Sequence, residues 1–128
     1  MDWAWVIIGS ALGGMARYGM SGAVARCIGE TFPWGTLAVN ASGSFVIGLF
    51  SALVAPGGTL AGEEAAGVFV MTGLCGGYTT FSSFSLQTLN LARDGEWSRA
   101  LVNIVASAAL CLLAVWAGFA LGAFTSGG

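Results

Sequence analysis

The chain reads as an all-α membrane protein of four transmembrane helices with the third broken mid-membrane, and three observations carry that reading. Apolar residues make up 56% of the sequence and charged ones 8%, with a positive mean hydropathy, far from the quarter-charged make-up of a soluble domain. Within 128 residues, room for a single domain (1–128), the apolar runs number four, each long enough for a hydrocarbon core of about 30 Å. The run from Ala65 to Ala92 carries no charge and as a straight helix would measure roughly 42 Å, which overshoots that core.

The first expected span covers residues 3–24. Ala23-Val24-Ala25 resembles a signal-peptidase site, but Asp2 stands where a basic leader would be and Arg17 interrupts the apolar stretch, so a cleavable leader is rejected. Gly9, Ser10, Gly13 and Gly14 form small-residue ridges that admit a second helix. Arg17 is the one charge embedded in a span, and its depth alone assigns it to snorkelling toward the nearer surface. Pro33 and Trp34 mark the second entry, and the span 34–55 carries Thr36, Asn40, Ser44 and Gly48 on one helical face. Hydroxyls in a membrane helix are ordinary glue, whereas an asparagine costs more and points to a role. Pro56-Gly57-Gly58 opens a turn that closes at Glu63 and Glu64.

The third span, 65–92, holds Met71 to Ser85, MTGLCGGYTTFSSFS. Gly73, Gly76 and Gly77 remove the side chains that favour helix, and Thr79, Thr80, Ser82, Ser83 and Ser85 supply hydroxyls for the backbone groups a break would free. A GxxxG-like packing face, Gly73 with Gly77, is the alternative. The hydroxyls that follow, with Phe81 and Phe84 among them on one helical face, favour a break placed at Gly76 to Thr79. Such a break frees carbonyls that a monovalent cation would satisfy, in competition with the Thr79 and Thr80 hydroxyls and a buried water. The fourth span, 100–122, repeats Asn103, Ser107 and Cys111 as one polar stripe, and the tail Thr125 to Gly128 is expected to be loose. Trp3, Trp5 and Trp116 gather toward one membrane face, Trp34 and Trp97 toward the other.

Several chemistries are closed off. Cys27, Cys75 and Cys111 form no C-x-x-C, there is no histidine, and every acid lies at the ends of the apolar runs or between them. No disulfide framework, zinc site, acid–base catalyst or proton relay is indicated, so the chain is not expected to be an enzyme. No basic patch suggests nucleic acid. Counting from the face that holds the loops at Arg26 and Arg93, Asn40 lies about 9 Å deep, Ser107 about 10 Å, Phe84 about 12 Å and Phe81 about 16 Å. Four short helices do not enclose a wet path and bury this polar surface by themselves, so the path is expected at a subunit interface.

Gly73-Leu74-Cys75-Gly76-Gly77-Tyr78-Thr79-Thr80-Phe81-Ser82-Ser83-Phe84-Ser85, preceded by Gly13-Gly14-Met15-Ala16-Arg17-Tyr18 and Gly35-Thr36-Leu37-Ala38-Val39-Asn40, resembles the small bacterial fluoride channels of the Fluc (CrcB) family. The resemblance covers all four runs in order. It implies a dual-topology dimer of antiparallel subunits in the bacterial inner membrane, with two fluoride pores that passively export fluoride and lower its cytoplasmic concentration. It also implies a central structural sodium ion held by backbone carbonyls. Phe81 and Phe84 match the paired pore phenylalanines, Asn40 the pore asparagine and Arg17 the first-helix arginine. Gly76 and Thr79 match the carbonyl donors to the sodium, while Ser83, Asn103 and Ser107 lie where the polar track runs. Tyr78 stands at an aliphatic position, and Asn103 and Cys111 at variable ones. The family includes homodimers and pairs of homologous subunits.

The chemistry suits that assignment. Fluoride is small and strongly hydrated, so a pore must replace its water with donors such as the Asn40 amide and the Ser107 hydroxyl, without a full charge that would trap it. The positive rims of Phe81 and Phe84 serve as weak donors; without the hydroxyls around them, lipid-facing or core packing would explain these rings. A proton-coupled exporter of drugs or cations is the alternative, but it needs a buried carboxylate that the runs lack. A non-conducting scaffold would leave the stripes at Asn40 and Ser107 without a purpose. Arg26, Arg93 and Arg99 share one face, a bias toward termini outside that leaves orientation open.

Overall fold

The computed structural model describes residues 3–29 and 32–126, and among these every regular element is helical. Helix α1 is Trp3–Ile28 and α2 is Trp34–Val54. A continuous helical run follows, built of α3 (Glu64–Gly67), a π-helical stretch (Val68–Cys75) and α4 (Gly76–Tyr78), and after two extended residues come α5 (Phe81–Arg93) and α6 (Trp97–Thr125). Of these, α2 and α6 are long and apolar enough to cross a membrane by length and composition. Glu30 of the first loop and the last two residues of the tail lie outside the described residues.

Turn chemistry ends the helices where the sequence supplies it. Gly29, at φ +97°, accepts the left-handed conformation that stops α1, with its N–H donating to the Ala25 carbonyl at 2.9 Å. Gly95, at φ +81°, does the same after α5, where the Glu96 N–H reaches back to the Leu91 carbonyl at 2.8 Å. The described part of the tail, Thr125 and Ser126, departs from its expected looseness: Thr125 still belongs to α6, and the Ser126 hydroxyl accepts from the Thr59 N–H at 3.1 Å, tying the end of α6 to the turn after α2.

Two helix pairs make the core, and small residues make both pairs. Along the first, a Cβ on Gly13 would lie 2.1 Å from the Leu74 carbonyl oxygen, and one on Gly77 would lie 2.3 Å from that of Ser10. Gly9 and Gly73 meet Cα to backbone on the same seam. Along the second, Gly48 faces Val115 and Phe119 of α6, while Gly118 faces Phe45 and Leu49 of α2. In both pairs contact positions rise together along the two chains, so α1 runs parallel to the third helical run, and α2 parallel to α6. Apolar side chains gain little by leaving lipid for protein, so close backbone approach between small residues does the joining.

This corrects one expectation in part. Gly76 and Gly77 are helical, and of the expected stretch Gly76 to Thr79 only Thr79 (φ −79°, ψ 157°) leaves the run, joined by Thr80 (φ −149°, ψ 120°). Gly73 and Gly77 are there for packing, as the GxxxG alternative holds, because α1 needs their bare backbone. Glycine permits a break but does not demand one, and an available packing partner decides between the two.

Candidate functional site

The interruption at Thr79 and Thr80 organises the site, and its backbone is repaired from three sides. Asn40 on α2 makes a reciprocal pair with Thr80: its Nδ2 donates to the Thr80 carbonyl at 2.9 Å, and its Oδ1 accepts from the Thr80 N–H at 2.7 Å. One amide therefore satisfies both polar groups of the residue that leaves the ladder. The Thr79 hydroxyl donates to the Cys75 carbonyl at 2.9 Å. The Thr80 hydroxyl accepts from the Ser83 N–H at 3.1 Å, the ordinary N-cap of a new helix, here α5. Tyr78 braces the same point from the other side, its hydroxyl 2.8 Å from that of Ser42.

The repair is incomplete at two carbonyls. A continuous helix would send the Thr80 N–H to the Gly76 oxygen, but that N–H is spent on Asn40. Among the described residues no donor meets the Thr79 carbonyl. No cluster of His, Cys, Asp or Glu suited to a metal occurs among the described residues, so any cation near this point would be met by backbone oxygens.

Two cavities flank the interruption, with Thr80 lining both. The first, of about 470 Å³, brings together Asn40, Phe81, Phe84 and Ser107, with Ser44 and Cys111 beside them. The rings of Phe81 and Phe84 lie 5.6 Å apart at 49°, a tilted pair that turns ring edges as well as faces toward its surroundings. Phe81 is 78% exposed on the single subunit. The second cavity, of about 710 Å³, is lined by Arg17, Ser83 and Gln87 with Thr36 and Tyr18. Among the described residues, the buried Arg17 Nε and Gln87 Oε1 have no partner. Arg17 and Ser83 thus lie apart from the phenylalanine cavity, across Thr80.

Asn103 lines neither cavity. It is buried at 2% exposure and stands in a chain of hydrogen bonds that joins α5 to α6. The Ser107 hydroxyl donates to Asn103 Oδ1 at 3.4 Å, Asn103 Nδ2 donates to the Thr88 hydroxyl oxygen at 2.8 Å, and the Thr88 hydroxyl donates to the Phe84 carbonyl at 2.7 Å. Sequence reasoning missed Thr88 and Gln87. Thr88 follows Phe84 by one helical turn and so shares its face, a signal present in the spacing; nothing in the sequence pairs it with Asn103.

The cavity gathers the Asn40 amide, the Ser44, Thr79, Thr80 and Ser107 hydroxyls and the two rings within a wall that is otherwise apolar, Ile47, Ile104 and Ala108 among it, with no carboxylate in the lining, which makes a place for a small species that accepts hydrogen bonds. Residues 4–119 match the family described as CrcB-like protein, Camphor Resistance (CrcB). The fluoride-specific ion channel FluC of Methylocella silvestris is 58% identical over 118 residues, 92% of this chain and 90% of that protein. The FluC of Opitutus terrae is 58% identical over 114 residues, 89% of this chain and 86% of that one. The FluC of Paramagnetospirillum magneticum is 52% identical over 118 residues, 92% of each. Family match and relatives cover the interruption, both cavities and the hydrogen-bond chain alike, and the chain belongs to the CrcB family of membrane proteins.

Proposed function

We propose that the chain is a passive fluoride-specific channel. The observation that carries the reading is the cavity in which Phe81 and Phe84 meet Asn40 and Ser107, because it offers several weak donors and no full charge. Fluoride loses its hydration shell only where donors replace it, and leaves only where no cation holds it. Of the two N–H groups of Asn40, one is committed to Thr80, which leaves the second for an ion. Arg17, in the cavity across Thr80, supplies positive potential near the path and stays out of the phenylalanine cavity itself. Flow down its own gradient out of the cell lowers the cytoplasmic concentration.

The working unit in this reading is a dimer of inverted subunits with four membrane crossings each, the third interrupted at Thr79 and Thr80, and two pores per dimer. The exposure of Phe81 supports it, since a pore ring needs a second wall, and so does the open side of Gly76, where a Cβ would meet nothing within 4 Å. The carbonyls of Gly76 and Thr79 fit a structural sodium ion. They are acceptors left over by the repair, and a bound cation would supply the missing partner. Hydroxyls alone do not cover this gap, because those of Thr79 and Thr80 are engaged with Cys75 and Ser83.

The test is efflux from proteoliposomes loaded with the potassium salt of fluoride or of chloride, with valinomycin added so that potassium leaves alongside the anion and balances the charge. Fluoride is expected to leave rapidly and chloride to be retained. Equal loss of both anions, or retention of both, would overturn the reading.

A further inference from the structure

Helix α5 carries both pore rings, yet none of its side chains is fully buried. A helix held this loosely by packing takes its rotation from whatever polar fasteners it has. Its N-terminus is pinned through Thr80 to Asn40. Along its body, among the described residues, the bonded fastener to another helix is Thr88 with Asn103 of α6, at 2.8 Å.

The geometry points to Thr88 as a positioning residue for the channel, an inference that rests on the function proposed above. Thr88 does not line the phenylalanine cavity. It lies one turn beyond Phe84 on the same face, so the angle at which α5 is clamped at Thr88 is the angle at which Phe84 meets the cavity. The direction of each bond is determined. The Thr88 proton goes to the Phe84 carbonyl at 2.7 Å, so the Thr88 oxygen accepts and Asn103 must present Nδ2 to it. Asn103 Oδ1 is then turned to Ser107 and receives its hydroxyl at 3.4 Å, a long bond that an anion arriving in the cavity competes with easily. Thr88 therefore sets both the pitch of the Phe84 ring and the acceptor that Ser107 leaves when it turns to fluoride. Losing the hydroxyl frees α5 to rotate and the Asn103 amide to flip, and either change misplaces donors whose value depends on holding their geometry to within about 1 Å.

Thr88→Val keeps shape and removes the hydroxyl; Thr88→Ser keeps the hydroxyl and trims a methyl. In proteoliposomes Thr88→Val is expected to slow fluoride flux by about tenfold, the scale of one hydrogen bond set into a barrier. It should also narrow the fluoride over chloride preference, while Thr88→Ser restores both. A purely structural fastener would lower thermal stability without moving the selectivity ratio. The second measurement needs no flux: fluorine NMR of para-fluorophenylalanine at Phe84 is expected to shift or broaden in Thr88→Val and to return in Thr88→Ser. An unchanged ring signal overturns the inference, whatever the flux shows. A changed ring signal in Thr88→Val, when the unsubstituted protein itself does not conduct fluoride, keeps the positioning and overturns the channel reading instead. Unchanged selectivity in a conducting Thr88→Val protein overturns the inference and leaves the channel reading intact.

Discussion

Asn40 illustrates how much one side chain does at a helix interruption. It closes a two-bond ring with the Thr80 backbone and also lines the phenylalanine cavity, so the role proposed for it in transport would fall to the second hydrogen of its Nδ2. Asn40→Ala leaves the Thr80 N–H unpaired, at about 1–3 kcal/mol, while the Thr80 carbonyl keeps the first intrahelical bond of α5, and thermal unfolding in detergent should show a loss of that size. An unchanged melting point would mean that water replaces the amide at no cost. Phe81 and Phe84 make a different demand, since their value lies in ring edges. Phe81→Ile and Phe84→Ile keep bulk and lose the quadrupole, and each is expected to slow fluoride efflux by at least about tenfold while the protein elutes as the same oligomer. Flux like that of the parent from both variants would remove the rings from the path.

Among the elements, the seam between α1 and the third helical run sets how close two backbones come. Gly13 sits against the Leu74 carbonyl, whereas a Cβ on Gly19 of the same helix would meet nothing within 4 Å. Gly13→Ala forces the pair apart and should destabilise by about 1–3 kcal/mol, as overpacking does. Gly19→Ala removes a poor helix former and should be neutral or stabilising by up to about 1 kcal/mol. Thermal melts of the two variants side by side test the seam, and equal melting points for both would contradict it. The seam lies directly before the interruption, so the same glycines that join the helices bring Thr79 and Thr80 to Asn40. Gly43 shows the fit from α2, where a Cβ would press on the Thr79 methyl and the Tyr78 ring.

At the scale of the whole molecule, the single subunit leaves its site unfinished. Phe81 faces outward and, among the described residues, the carbonyls of Gly76 and Thr79 meet no donor, which is the ground on which an inverted partner and a central sodium ion are proposed. Cysteine placed at Gly57, in a background without Cys27, Cys75 and Cys111, should be labelled by an impermeant reagent from both sides of the membrane. Labelling from one side alone would point to parallel subunits or to a second, oppositely inserted chain. Exchange of sodium for a bulky organic cation tests the proposed ion and is expected to loosen the proposed dimer in detergent, seen as monomer on size exclusion. A dimer indifferent to that exchange would assign the two carbonyls to water.

The all-helical class was legible in composition and run length, because a membrane leaves few alternatives to helices once charge is scarce. So were the polar and aromatic residues that line the phenylalanine cavity: amides, hydroxyls and paired rings stand out against an apolar background, and the motif around Phe81 and Phe84 is dense enough to carry a family resemblance. What the chain folds around was not legible. Gly73 and Gly77 are as consistent with a break as with a packing seam, and only the presence of Gly9 and Gly13 across from them chose packing and moved the interruption to Thr79 and Thr80. The separation of Arg17 and Ser83 from the phenylalanine cavity, and the bond from Asn103 to Thr88, depend on how α5 is turned against α6 and α2. Periodicity places a residue on a face of its own helix; which residue meets it on another helix is decided by the angle and depth at which the two backbones pack, and here small residues far from the site set both.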